Sequence, residues 1–377
     1  MSERVLVTGG AGFIGSHIVD ELLQAGYEVR ILDNLEPQVH GPDADVPDYV
    51  NPEAEFVRGD VLDAQALGRA LEGVDLVSHQ AALVGVGQSM YECARYTRVN
   101  DLGTAQLLEL LVNVSSVRDR VRKVVVASSM SIYGEGKCHH PSCGDFKPAI
   151  RSAEQIAERQ FEILTPDGQQ AESRPTDEEQ LAMPASIYAV NKYAQEQMAL
   201  ACGRACGIAA VALRYFGVYG PRQSLSNPYT GVAAIFATRI LNGQPPLIFE
   251  DGRQIRDFIH VRDIALANRL ALERAEADGE VFNVGCGRPL RVTEMARMLI
   301  DKLAPGRLEP EISGRFRAGD IRHCYADLDK INKRLGFCPR ISFEEGIADL
   351  AAAVREQTPV DKLSAVLREL EERGLAQ

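Results

Sequence analysis

No stretch of this 377-residue chain approaches the roughly 18 consecutive apolar residues that a membrane span requires. The first residues, Met-Ser-Glu-Arg, run into a strand pattern without the apolar core of a signal peptide. Positive charge is scarce as well: 41 Lys and Arg against 53 Asp and Glu leave a formal net charge of −12. A nucleic-acid binder would carry a basic footprint, so that class is not expected, although a few local arginines can still build a pocket for an anionic substrate. Internal repeats are absent. The eight cysteines are scattered (93, 138, 143, 202, 206, 286, 324 and 338), which suits reduced thiols in a cytoplasmic enzyme better than a disulfide framework. Neither nucleic acid nor membrane is expected as a partner.

What remains is an ordinary globular composition, 45% hydrophobic and 25% charged, in a chain long enough for one large domain or two smaller ones. The first half alternates short apolar strands with amphipathic helices. Strands are expected at Val5–Val7, Glu28–Leu32, Glu55–Val57, Leu76–Ser78, Val124–Ala127 and Ala209–Leu213. Helices are expected at about Ile14–Gln24, Ala64–Leu71 and Tyr96–Val112 and after Ser186. This rhythm predicts an α/β fold, a Rossmann-type doubly wound parallel sheet with a smaller α/β substrate-binding lobe. The expected division gives residues 1–217 to nucleotide binding, with an insertion at about 136–184 and a return at 255–281. Residues 218–254 and 282–350 form the lobe, and 351–377 a surface helical tail. The insertion reads as irregular apart from a helical pattern at Ala153–Phe161.

Thr8-Gly9-Gly10-Ala11-Gly12-Phe13-Ile14-Gly15 joins the first strand to the first helix, and Asp33 closes the second strand. A lone glycine triplet says little, but in this context it fits a dinucleotide. Gly9 permits the turn, Gly12 lets backbone approach a pyrophosphate, and Gly15 lets helix and strand pack closely, with the phosphates at the positive end of the helix. Asp33 would accept hydrogen bonds from the adenosine ribose and repel a 2′-phosphate, favouring NAD over NADP.

Tyr188 and Lys192 stand at i and i+4, on one face of a predicted helix. A phenol titrates near 10, and a neighbouring ammonium together with a nicotinamide cation would stabilise its phenolate as a base. Ser128-Ser129-Met130-Ser131-Ile132-Tyr133-Gly134 ends the fifth strand, where open parallel sheets bind ligands. A hydroxyl there can hydrogen-bond a substrate oxygen.

The glycine loop, a serine four residues before Tyr133-Gly134 and Tyr188-x-x-x-Lys192 together resemble the extended short-chain dehydrogenases/reductases, specifically their nucleotide-sugar epimerase/dehydratase branch. The likeness continues through Asp60-Val61, Ala81-Ala82, Asn100, Leu213-Arg214-Tyr215-Phe216, Val218-Tyr219-Gly220-Pro221, Arg256-Asp257-Phe258-Ile259-His260-Val261 and Arg317-Ala318-Gly319-Asp320, spanning about residues 4 to 350. It implies catalysis by Tyr188 as base, with Lys192 tuning it and Ser129 sharing its proton network. It also implies NAD contacts from Gly9, Gly12, Phe13, Ile14, Gly15, Asp33, Asn34, Asp60, Val61, Ala81, Ala82, Asn100, Tyr188, Lys192 and Tyr215. Substrate contacts would come from Val86, Ser129, Ser131, Asn227, Arg256, Arg317 and Asp320, the two arginines clamping a diphosphate. A homodimer is implied too, packed through the Tyr96–Val112 helix and the helix of Tyr188, with Ala194, Met198 and Ala201 as candidate contacts.

Dehydratases of this branch carry Asp-Glu where this chain has Met130-Ser131, so hydride chemistry at one sugar carbon is the expected activity. The segments Val84–Met90 and Ser226–Val232 resemble enzymes that convert dTDP-L-rhamnose to dTDP-6-deoxy-L-talose. UDP-glucose or UDP-N-acetylglucosamine epimerisation and NADH-linked 4-ketoreduction are the alternatives. Three departures from the family pattern stand out: Gly217 in place of Asn, Val84 in place of a Lys, and an insertion with Cys138, His139, His140 and Cys143. Relatives with two Cys pairs resemble a zinc knuckle there, but Thr165-Pro166-Asp167-Gly168 replaces the second pair. No metal is therefore expected.

Overall fold

The computed structural model describes residues 2–317, 319–355, 357 and 359–376. Its largest sheet has seven strands, β1 (Arg4–Thr8), β2 (Glu28–Asp33), β3 (Glu55–Arg58), β4 (Leu76–His79), β5 (Lys123–Ser129), β6 (Ala209–Tyr215) and β7 (Val281–Val284). All pair in parallel, in the order β7-β6-β5-β4-β1-β2-β3. The order reverses direction between β1 and β4, and that switch point opens a crevice at the carboxyl ends of the strands.

The longer helices are α1 (Phe13–Gln24), α2 (Ala64–Leu71), α3 (Gly103–Asn113), α4 (Ile187–Cys206), α5 (Val232–Leu241), α6 (Val261–Glu273), α7 (Val292–Leu303), α8 (Phe343–Arg355) and α9 (Leu363–Glu372). Alternation along β1 sorts the core into two layers. Val5 and Val7 pack with Ile18 and Leu22 of α1 and Ile264 and Leu272 of α6. Leu6 points the other way, to Leu67 of α2, Leu107 and Leu111 of α3 and Leu200 of α4. Both faces of the sheet are thus covered, which is why its strands read as unbroken apolar runs. A third cluster joins Phe236 of α5, Met295 and Leu299 of α7 and Ile347 and Leu350 of α8.

Several local departures from the sequence reading have physical causes. The expected helix Tyr96–Val112 is Cys93–Thr97, a π-helical turn at Arg98–Leu102, then α3. The insertion holds an antiparallel three-stranded sheet (Cys138–His140, Gly144–Phe146 and Glu172–Ser173), and its helix stops at Ala157. Such short strands carry too few residues for a period-two signal. Residues 282–284 belong to β7, and Ile331, Leu335 and Phe337 pack into the first core layer. Part of 282–350 therefore lies on the nucleotide-binding side. Among the described residues no helix is long and apolar enough to cross a membrane.

Candidate active site

A cleft of about 630 Å³ runs along the carboxyl ends of β1, β2, β4, β5 and β6 and under α5 and α9. Gly9 turns at φ +70°, and a Cβ there would lie 2.8 Å from the Ala81 amide nitrogen. A Cβ on Gly15 would sit 2.1 Å from the Gly9 carbonyl oxygen. Only glycine fits at either point. Gly12 caps α1, whose first turn carries no acidic side chain, so the unpaired amides at Phe13, Ile14 and Gly15 meet no competing anion. Asp33 is buried at the end of β2; its two oxygens accept the amides of Ala11 (3.0 Å) and Leu35 (2.9 Å). That fixes the carboxylate while leaving lone pairs for ribose hydroxyls. Asn34 donates to Asp60 (2.9 Å), and Asp60 also accepts the Leu62 amide (2.8 Å). Phe13, Ile14, Asn34, Asp60, Val61, Ala81, Ala82 and Tyr215 all line the cleft. Tyr215 is held by donating to Gln80 (3.1 Å) and accepting from Asn268 (2.7 Å).

Asn100 is placed differently. It is wholly buried, away from the cleft lining, and its amide brackets Leu83 by accepting the backbone N–H (2.8 Å) and donating to the carbonyl (3.1 Å). It fixes the loop after β4, where Leu83 lines the cleft.

Ser186 caps α4 by accepting the Ala189 amide (3.2 Å), which starts the helix one residue before Tyr188. The Tyr188 amide donates to Ser89 (3.0 Å), tying α4 to the turn Val86–Ser89. Ser129, the last residue of β5, accepts from the amide (3.1 Å) and hydroxyl (2.9 Å) of Ser131. Burial pushes the Tyr188 phenol up to about 12, with the Ser129 hydroxyl hydrogen-bonded to it pulling the other way. Burial pushes Lys192 down to about 8, against the pull of Asp101. The Lys192 amine donates to the Ala127 carbonyl (3.0 Å). The expected stabilisation of the phenolate joins this ammonium to a nicotinamide cation, and in the protein alone the phenol stays high.

Behind β5 and β6, Glu196 accepts from Ser128 (2.7 Å) and from both Nε (3.0 Å) and Nη2 (2.7 Å) of Arg214. Arg214 also donates to Tyr133 (2.8 Å). All four are buried, and this network anchors the strand end that carries Ser129. Glu196 carries no motif, so sequence alone did not single it out.

On the far side of the cleft Val86, Ser131, Asn227, Arg256, Arg317 and Asp320 face the same space. The arginines are not open clamps. Arg256 donates to the carbonyls of Ile255 (2.9 Å), Ile321 and Arg322 (3.0 Å), and burial lowers its pKa. Arg317 pairs with Asp320 (3.0 Å) and stacks 4.5 Å above the Phe249 ring. Gly217 explains its own departure from the family: a Cβ would lie 2.8 Å from the Asp257 carbonyl oxygen, leaving no room for asparagine. In the insertion, Cys138 is buried with Ile163 and Ala171 and Cys143 is exposed, while His139 pairs with Asp145 (2.7 Å) and His140 with Ser142 (2.8 Å). Among the described residues no group of three or more His, Cys, Asp or Glu is placed to share a metal ion.

A doubly wound sheet with a glycine cradle, a fixed carboxylate on β2 and a Ser–Tyr–Lys set across the cleft defines a dinucleotide-dependent enzyme of the short-chain dehydrogenase type. Residues 5–285 match the NAD dependent epimerase/dehydratase family, and the chain belongs to it. The chain is 34% identical over 362 residues to a dTDP-L-rhamnose 4-epimerase of Burkholderia thailandensis, covering 94% of this chain and 96% of that one. Its fold matches the UDP-glucose 4-epimerase of Thermotoga maritima, solved with UDP-glucose, at a TM-score of 0.75 and 32% identity, over 94% of this chain and 99% of that one. It matches the Thermus thermophilus UDP-glucose 4-epimerase, solved with NAD, at 0.73 and 32%, over 93% and 99%. The protein is an NAD-dependent enzyme of the nucleotide-sugar 4-epimerase type, and its cofactor is NAD.

Proposed function

We propose that the enzyme epimerises C4 of a 6-deoxy nucleotide sugar, interconverting dTDP-L-rhamnose and dTDP-6-deoxy-L-talose. The observation that carries this reading is the cleft end at Ser129 and Tyr188, where Met130 and Ser131 occupy the positions of the dehydratases' acid–base pair. Neither side chain exchanges protons near neutral pH, so no group there assists loss of water. NAD, when bound, supplies the reversible acceptor for the hydrogen on C4 and the positive charge that lowers the phenol. Tyr188 then takes the proton from the O4 hydroxyl, Ser129 hydrogen-bonds that oxygen, and Ser131 orients Ser129. The same groups return the proton once the 4-keto sugar presents its other face. Arg256 and Arg317 would hold the nucleotide diphosphate, Arg317 leaving Asp320 for phosphate oxygens, with Asn227 and Asp320 as further contacts to the substrate. The similarity to the Burkholderia enzyme supports the substrate. A panel of dTDP- and UDP-sugars without added reductant, followed by proton NMR, tests the choice. Conversion of UDP-glucose but not dTDP-L-rhamnose would transfer the assignment to UDP-sugars.

We also infer a homodimer built on α3 and α4. Leu102, Val190 and Ala201 are exposed and Ala194 and Met198 only half-buried, which supports an apolar four-helix contact. Light scattering at micromolar concentration should give twice the chain mass, and a monomer mass would refute it.

A further inference from the structure

The tail was expected to lie on the surface, yet Leu363, Val366, Leu367 and Leu370 of α9 are all buried and all line the cleft. Three independent ties hold the helix over it. At its start, Asp361 pairs with Arg239 of α5 (3.0 Å). Along its length, Glu369 accepts from Tyr91 (3.2 Å) and Tyr229 (3.5 Å), whose hydroxyls also bond each other. At its end, Arg315 pairs with Glu371 (2.8 Å), and Ala376 bridges to the backbone of Arg317. The Leu370 end packs on the turn that meets the start of α4. A Cβ on Gly87 would lie 3.5 Å from both Leu370 methyl carbons, and Gly87 sits in the turn whose Ser89 holds the Tyr188 amide.

We propose that α9 supplies an apolar wall to the sugar end of the cleft and that Leu370 is a specificity-determining residue for the substituent at C6. The inference rests on the reading of Tyr188 as the base at O4. With C4 fixed there, the adjacent ring carbons are C3 and C5. C3 bears a hydroxyl, which a wall of leucine would leave without a hydrogen-bond partner at a cost. C5 bears the one exocyclic carbon, and a methyl on it loses nothing against Leu370, whereas a hydroxymethyl must strand its hydroxyl. The wall therefore favours a 6-deoxy sugar.

The test uses the full-length holoenzyme and pairs of nucleotide sugars that differ only in methyl or hydroxymethyl at C6, on whichever base the wild type turns over. Leu370→Asn should cut the ratio of methyl to hydroxymethyl kcat/KM by about tenfold, largely through KM for the methyl sugar. Binding of NAD and of the free nucleoside diphosphate should stay within about twofold of wild type, which shows that the cleft is intact. Leu370→Met keeps an apolar wall and should keep the ratio, so it serves if the asparagine variant does not fold. Equal losses on both sugars in Leu370→Asn, an unchanged ratio, or a ratio lost in Leu370→Met would overturn the proposal. A wild type that prefers hydroxymethyl sugars, with that preference sensitive to Leu370→Asn, sinks the 6-deoxy reading of function but leaves Leu370 as a specificity residue.

Discussion

In the proposed reaction Tyr188 concentrates the chemistry in one atom. Its phenol is buried and pushed up to about 12, so in the protein alone it holds its proton at neutral pH. Tyr188→Phe keeps the ring packing and removes only the proton acceptor. Turnover should fall by about 10²–10⁴-fold while NAD stays bound. Retention of more than a tenth of the wild-type rate would show that another group takes the proton. Asp33 makes a second residue-scale prediction. Its carboxylate is fixed by two backbone amides and is proposed to meet the adenosine ribose, so calorimetry should show strong preference for NAD over NADP. Equal affinities would mean the adenosine ribose is held elsewhere.

At the scale of elements, the loop between β1 and α1 has no tolerance for a side chain. In Gly15→Ala the added carbon would sit 2.1 Å from the Gly9 oxygen, so helix and loop must separate. NAD affinity should drop more than tenfold and the melting temperature should fall; near-wild-type binding would refute the close-packed cradle. This loop was legible in the sequence, as were β1 to β6 and the α4 face bearing Tyr188 and Lys192, because each depends on short-range pattern; β7 was not, residues 282–284 having been assigned to the lobe. The hold of Asn100 on Leu83 was not legible, since a motif position does not say which partner an amide takes. The paired states of Arg256 and Arg317 were hidden for the same reason: their partners, Ile321, Arg322 and Asp320, become neighbours only through loop geometry. The apolar stripe of α9 was visible as Leu363, Val366, Leu367 and Leu370, but periodicity reports a buried face and is silent on what it covers.

At the scale of the whole molecule, burial holds His17, His79 and His260 neutral. His17 and His260 are pushed down to about 4, and His79, wedged between Thr8 (2.8 Å) and Thr104 (3.0 Å), to about 3. Unfolded, each would titrate near 6.5, so below that pH the unfolded chain binds more protons than the folded one. Their stabilisation is complete above about pH 6.5 and declines as the pH falls toward 4, by up to about 1.4 kcal/mol per pH unit for each. The melting temperature should drop between pH 7.5 and pH 5, and less steeply in His79→Gln. A flat profile would contradict the burial of these rings as neutral groups.

In the proposed reaction one hydrogen leaves C4 and returns to the same carbon with no net redox change. Incubating the holoenzyme with dTDP-L-rhamnose deuterated at C4, in water and without added NADH, tests it most directly. The talo isomer should form with deuterium retained at C4. A talo product that has lost its label, or that forms only when NADH is supplied and consumed, would contradict it.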